Sequence, residues 1–463
     1  MSRRLVLAGA ALVALIGAGQ ALHDGSDIFI GSQDRLTLWL ALQLLAGGIY
    51  LFVAAGELRA PSAGRAFWLI LGVAAAMRAI PLASPMFLSS DLFRYIWDGR
   101  VQLAGHNPYS FVPADPVLAP LRDHLIYGHV NRAGYAHTIY PPAAQLVFAA
   151  VAWLGQTPFA MRAAMVAFEA LGLWALVGVL DRLRLPRSRV LLYAWNPLPV
   201  WEFAGNGHLD AIVVGLLGVA LLSRARGWRG ATGLVLGLAV LVKFLPAVLA
   251  PAFWRRWDWR MAATGLGVIV ALYACYAGAG WRVLGFLPGY ASEEGLATGD
   301  GFWLLAGLGQ VWALPPAAGA VFLALLAAGL LAALWVLSAR PFAPPHDVAR
   351  DLPAVAAQSG WLIAILLVAL SPHYPWYYAW VCVPAVIAPQ RSALFLGVAS
   401  LLFYLDPLHE RFIWPALVFV PTLALAILDI RRPLSRAALP HSEPHHGPER
   451  RVGTPAGRSE ALL

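Results

Sequence analysis

Asp91, Arg94, Asp98 and Arg100 fall within ten consecutive positions of the segment Ser89–Tyr109, SSDLFRYIWDGRVQLAGHNPY, in a chain that otherwise avoids charge. An ionised side chain at bilayer depth costs about 2.5–3.5 kcal/mol even on the mildest scale, so a lipid-embedded chain tolerates such a cluster only outside the hydrocarbon or facing a wet cavity. A carboxylate beside cations suits proton transfer next to an anion. The same residues also have a plain reading. Asp91 follows Ser89 and Ser90 and fits the positive start of a helix, and Asp98 can pair with Arg94 or Arg100.

Three further polar islands stand out. Glu202, His208 and Asp210 lie in WEFAGNGHLD, a turn bent by Gly205 and Gly207. A Glu/His/Asp trio has metal-ligand chemistry, but no fourth ligand stands at a recognisable spacing, and a satisfied polar turn explains it equally. Lys243 is the only lysine in the chain and stands in GLVLGLAVLVKFLPAVLAP without a polar neighbour. As a compact point charge it suits a phosphate, the alternative being a side chain that snorkels to the interface. His373, Trp376 and Tyr377 belong to SPHYPWYYAW, which is either the wall of a site or an interfacial aromatic belt.

These islands need a scaffold, and the composition names it. The 463 residues are 60% hydrophobic and 12% charged, against about 25% charged in soluble domains. Apolar runs near or above 18 residues predict membrane-spanning helices, whereas a barrel would show alternating segments of about ten. The fold class expected is therefore all-α, a polytopic transmembrane bundle. The net charge of +9 comes from arginines in short loops, which orient helices rather than bind nucleic acid. Cys275 and Cys382 both sit in apolar runs, so neither a disulfide framework nor a thiolate metal site is expected.

The arginine bias gives a topology. With Met1–Arg4 cytoplasmic, spans near Leu5–Leu22, Leu36–Ala55 and Ala66–Leu82 deliver Asp91 to the outer face. Residues 83–160 then form a long outer loop with interfacial helices, because Ala143–Gly155 is too short for a comfortable crossing. Met161–Leu180 returns to the basic loop Asp181–Arg189, Val190–Phe203 exits, and Ala211–Leu222 comes back. Gly230–Trp254, with Lys243, Pro246 and Pro251, reads as a bent hairpin. Met261–Gly280, Ala317–Leu337, Leu352–Leu370, Tyr377–Ala388, Ser392–Leu405 and Phe412–Leu428 complete roughly 12–14 crossings by the length rule. Residues 1–430 are expected to make one integral membrane bundle. The tail 431–463, rich in Pro, Arg and His, is expected to be disordered in the cytoplasm, its His441, His445 and His446 solvated. All four islands then fall at or near one outer end of the bundle.

At these residues a family resemblance appears. The blocks DLFRYIWDGR-x5-G-x-N-P-Y, HTIYPP (137–142), WNPL-x-V-x-E-x-x-G-x-G-H-x-D (195–210), GLAVLVKF-x-P (237–246) and SPHYPWY (371–377) resemble, in order and spacing, bacterial multi-spanning glycosyltransferases of the GT-C class. The likeness is to the glycosyltransferase 87 and polyprenol-phosphate-mannose-dependent mannosyltransferase group. It implies a GT-C-like bundle in the bacterial inner membrane, with both termini cytoplasmic and the site facing outward. The implied activity is inverting transfer of a hexose, mannose by resemblance, from a polyprenyl-phosphate sugar to a hydroxyl of a glycan or lipid acceptor. The acidic catalytic residue of the class maps onto Asp91. Lys243, Arg94, Arg100 and His373 would hold the donor phosphate. Trp97, Asp98, Tyr140, Glu202, His208, Asp210, Trp376 and Tyr377 would meet sugar or acceptor. The Asp91 loop lacks an Asp-x-Asp pair, so no metal or other cofactor is expected. Two helices precede the one leading into the acidic loop, whereas in better-known GT-C enzymes that loop follows the first helix directly. Two other classes remain: a flippase of lipid-linked sugars, which predicts internal repeats that the sequence does not display convincingly, and an envelope-assembly scaffold.

Overall fold

The computed structural model describes residues 3–23, 31–296, 298–341, 348–405 and 412–431. Among them every regular element is a helix. The elements that frame the site are α1 (Arg3–Gln20), α2 (Gln33–Arg59), α3 (Ala66–Leu82), α4 (Asp91–Leu103), α5 (Pro142–Leu154), α6 (Pro158–Arg182), α7 (Asp210–Ala225), α8 (Arg229–Val240) and α9 (Trp259–Ala274). They are followed by α10 (Leu287–Glu293), α11 (Ala318–Ser338), α12 (Val348–Leu370), α13 (Arg391–Ala399) and α14 (Ile413–Arg431). The tail 432–463, and with it the expectation of disorder there, lies outside the described residues.

Six helices are long and apolar enough to cross a membrane, and a seventh span arises if α9 and the segment 277–293, bent by 112°, are taken together. Four shorter apolar helices add to these: α3, α5, α8 and the stretch Arg391–Tyr404. The protein is a multi-pass membrane helix bundle. α11 shows this most directly: it buries none of its apolar window, leaving Leu325, Leu331 and Trp335 more than 60% exposed. A helix this apolar on every side needs hydrocarbon around it.

The long spans are fewer than the apolar runs suggest, because several runs are broken. Val190–Phe203, expected as one outward span, is a succession of short turns from Arg187 to Gly205 interrupted by Pro197 and Pro199 and ending in a π-helical turn. Tyr377–Ala388 is likewise a 3-10 segment, Pro375–Val381, joined to one helical turn, Cys382–Ala385. Proline removes a donor and clashes with the preceding turn, so neither run can continue as an α-helix. Both segments are almost wholly buried, where irregular backbone finds protein partners instead of lipid. Asn196 accepts from the Leu198 amide, and Glu202 carbonyl oxygen accepts from His208 N–H at 2.8 Å. Gly230–Trp254 is bent as expected, with α8 ending before Lys243 and short turns running to Phe253.

Close helix contacts hold this irregular interior in place. On α6 and α7, a Cβ at Gly218 would meet the Gly172 carbonyl oxygen at 2.7 Å; on α8 and α9, one at Gly237 would meet that of Gly265 at 2.7 Å. Small residues let backbones approach this closely, which is how helices associate where lipid removes the hydrophobic drive. A buried ion pair adds a polar tie: Arg78 on α3 meets Glu169 on α6 through two bonds of 2.7 Å, and Tyr193 donates to the same carboxylate.

Candidate active site

α4 begins at Asp91, whose backbone N–H donates to Ser89 Oγ at 3.3 Å, while Ser90 makes no capping bond. The carboxylate is therefore in the first helical turn but is not spent on capping. Its Oδ1 accepts from Asn131 Nδ2 at 2.9 Å, and its side chain keeps 25% of its surface exposed. That surface opens into a cavity of about 550 Å³, within the range of small-molecule sites. α4 is itself anchored to the outer loop. Arg94 Nε donates to Asp98 Oδ1 at 2.8 Å, Arg94 Nη1 to the Ala136 carbonyl, and Gln145 from α5 to Asp98 Oδ2.

Lys243 reaches the same cavity from the break after α8. Its Nζ lies 2.7 Å from Asp210 Oδ2, at the start of α7, and 3.7 Å from the centre of the Tyr377 ring. The lysine is thus paired and presented to the chamber, and the snorkelling alternative falls away. His373, Trp376 and Tyr377 come from the turns after α12, and Tyr140 from the outer loop; all four line the cavity, as does Arg94. His373 Nε2 stands 3.8 Å from Glu294 Oε2.

Glu202, His208 and Asp210 form a buried layer behind this wall. His208 stacks on Trp376 with ring centres 3.7 Å apart; its Nδ1 is 3.9 Å from Asp91 Oδ2 and its Nε2 3.6 Å from Glu202 Oε2. Glu202 accepts from the Tyr404 hydroxyl at 2.8 Å and from Asn206 at 3.4 Å. Three residues expected at the site stand apart from the chamber. Arg100 pairs with Asp123 at 2.6 Å and donates to Gln156, on the far side of α4. Trp97 is buried against Tyr127, and Asp98 is spent on Arg94 and Gln145. Helical geometry accounts for two of these: positions 97 and 100 point away from the face that carries 91, 94 and 95, whereas Asp98 shares that face two turns further along and is held there by Arg94 and Gln145.

The structure also brings in residues that the sequence did not single out. Asn131, Arg132, Tyr290, Glu294, Tyr374 and Tyr404 all line the chamber. Arg132 holds Glu293 at 2.7 Å, and Tyr135 donates to the same carboxylate, which fastens α10 over one side. Asn131 and Arg132 were signalled only by polarity in the long loop 83–160, Tyr374 only by its place in the HYPWYY run, and Tyr404, in an apolar run, not at all. Electrostatically, burial pushes the Asp91 carboxyl above its ordinary value, while the Asn131 bond and the charges of Lys243 and Arg132 act against the rise. Among the described residues no three His, Cys, Asp or Glu side chains group as a metal site.

An acid, several paired cations and aromatic rings around one chamber in a membrane bundle fit sugar chemistry, and the comparisons with known proteins point the same way. Residues 138–295 match glycosyltransferase family 87. Over this part of its length the chain is similar to that family. The matched stretch includes Tyr140, Glu202, His208, Asp210 and Lys243, and begins after Asp91. Beyond it, the chain is 25% identical to Alpha-(1->6)-mannopyranosyltransferase A of Mycobacterium tuberculosis, over 89% of this chain and 86% of that protein. No solved structure matches. These similarities support a membrane glycosyltransferase, and the chamber at Asp91 is its candidate active site.

Proposed function

We propose that the chain transfers a hexose, mannose in the first instance, from a polyprenyl-phosphate carrier to an acceptor hydroxyl at the extracytoplasmic face of the bacterial inner membrane, with inversion at the anomeric carbon. The observation that carries the proposal is the chamber that Asp91 and Lys243 share. Similarity to a protein named for α-(1→6)-mannopyranosyl transfer supports the sugar, and the arginine bias supports the side of the membrane. A polyprenyl tail needs apolar walls, supplied by Leu88, Phe286, Leu287, Leu367, Leu370 and Phe403.

In the proposed step, Asp91 takes the proton from the acceptor hydroxyl as that oxygen bonds to the anomeric carbon. The bond from that carbon to the phosphate oxygen breaks, and its electron pair leaves with the phosphate. A positioned base contributes about 10²–10⁴-fold. Charge grows on the departing phosphate, and Lys243 is the cation best placed to meet it, with Arg94, Arg132 and His373 on the surrounding walls. Because Lys243 is held by Asp210, it enters the reaction already positioned rather than recruited. Trp376, Tyr377 and Tyr140 supply aromatic wall where the sugar would sit.

The test is transfer by the purified full chain in detergent, with radiolabelled polyprenyl-phosphate mannose as donor and a mannoside acceptor. The proposal expects label in the acceptor. A donor screen in which polyprenyl-phosphate sugars are inert and nucleotide sugars react would overturn the carrier assignment. Carrier movement between leaflets with the sugar bond intact would favour the flippase.

A further inference from the structure

His208 occupies a position that the proposed reaction has not yet used. The ring is fully buried, and among the described residues neither nitrogen has a hydrogen-bond partner, an expensive state for an imidazole. It nonetheless lies between two carboxylates, Nδ1 at 3.9 Å from Asp91 and Nε2 at 3.6 Å from Glu202. Stacking on Trp376 fixes the ring plane, and Gly207, with φ of 74°, makes the turn that aims it. On the far side Glu202 is fixed by Tyr404 and Asn206. The other charged groups around this line are Lys243 with Asp210 from the break after α8 and the start of α7, and Arg132 from the outer loop.

An imidazole carries one proton when neutral. With Nε2–H turned to Glu202, Nδ1 presents a lone pair to the Asp91 carboxylate, and two acceptors facing each other stay apart. Nδ1 stands 3.9 Å from Asp91 and Nε2 3.6 Å from Glu202, both just beyond hydrogen-bond length, so a small side-chain shift closes either contact. Once Asp91 is protonated, Oδ2–H can donate to Nδ1 and the gap can close.

We propose that His208 is a positioning residue that takes up, through Asp91, the proton released by the acceptor hydroxyl, with Glu202 orienting the ring. This rests on the reading of Asp91 as the base of glycosyl transfer. In the relay the Asp91 Oδ2–H bond breaks as His208 Nδ1–H forms, which returns Asp91 to its carboxylate and leaves an imidazolium between two carboxylates. The proton goes back through Asp91 to water when product leaves. No oxidant or further reactant enters.

Two arms test this on the purified full chain. In the kinetic arm, His208→Phe, which keeps an aromatic ring against Trp376, and His208→Gln, which cannot carry a full proton, lower kcat by about 10²-fold with the donor KM unchanged. Asp91→Asn combined with His208→Phe is then no worse than Asp91→Asn alone, because His208 acts only through Asp91. Additive losses, or an effect confined to KM, would overturn the relay. In the second arm, which needs no substrate, the infrared carboxyl band of Asp91 is titrated, assigned by its absence in Asp91→Asn. Loss of the Nδ1 acceptor shifts the titration to lower pH by on the order of one unit in His208→Phe. Superimposable curves for wild type and both His208 variants would overturn the coupling. A wild type that shows the infrared shift but transfers no sugar would sink the glycosyl-transfer reading and leave the Asp91–His208 coupling standing.

Discussion

Asp91 is the residue on which the proposed chemistry converges. Asp91→Asn should reduce transfer by about 10²–10⁴-fold without loss of expression or carrier binding, as measured by labelled product formation and carrier pull-down. Burial raises this carboxyl above its ordinary value, and only the ionised form accepts a proton. Transfer should therefore fall as pH drops, with an acid limb above the usual carboxylate range. Asn131 donates to the charged form, so Asn131→Ala should move that limb to still higher pH, whereas an unmoved profile would remove the Asn131 bond from the account. Lys243→Met should weaken donor use more than acceptor use, and should also destabilise the bundle by leaving Asp210 buried without its cation. Breaking a buried pair costs about 3–5 kcal/mol, less here because Lys243 is partly open to the chamber. Lys243→Met with Asp210→Leu should regain thermal stability but not activity. Asp91 and Lys243 were legible in the sequence because charge in an apolar chain is costly. Their partners were not: Asp210 is 33 positions from Lys243 and Asn131 is 40 from Asp91, and only the fold joins them.

The elements carrying these residues are irregular where the site is built and regular where it is not. Asp91 opens a helix, Lys243 follows the end of one, and His208, Trp376 and Tyr377 sit in broken segments between prolines. Apolar periodicity announced the helices, and the Pro246 and Pro251 pattern announced the bend after α8. It did not announce that the runs 190–203 and 377–388 are broken and packed inside, since buried irregular backbone and a spanning helix have the same apolar composition. Helical phase also escaped the reading of α4. Arg100 and Trp97 are near Asp91 in sequence but turn to Asp123 and Tyr127, and Asp98, on the same face as Asp91, is taken by Arg94 and Gln145. Arg100→Ala should therefore leave donor KM near wild type, while Gly237→Leu, which forces α8 from α9, should destabilise by about 1–3 kcal/mol or prevent folding. Thermal unfolding in detergent monitored by fluorescence reads the second and steady-state kinetics the first.

Across the whole molecule, four polar islands spread over residues 91 to 377 face one chamber or stand directly behind it, inside a bundle whose outer surface, as on α11, suits lipid. The sequence carried this arrangement in its arginine bias, which put every island at one end before any contact was known. The number of crossings was less legible, because short helices and broken runs share the work of the long spans. The proposed sidedness rests on the same bias. In a chain with Cys275 and Cys382 replaced, a cysteine introduced at His124 on the outer loop should react with a membrane-impermeant thiol reagent in intact spheroplasts, and protection there would invert the topology. The most direct measurement is a cryo-electron microscopy map of the full chain with a non-transferable polyprenyl-phosphate mannose analogue. The account predicts the phosphate against Lys243 and the anomeric carbon facing Asp91 within the chamber. Phosphate density outside it, with Lys243 still closed on Asp210 and the cavity empty of sugar, would contradict the account.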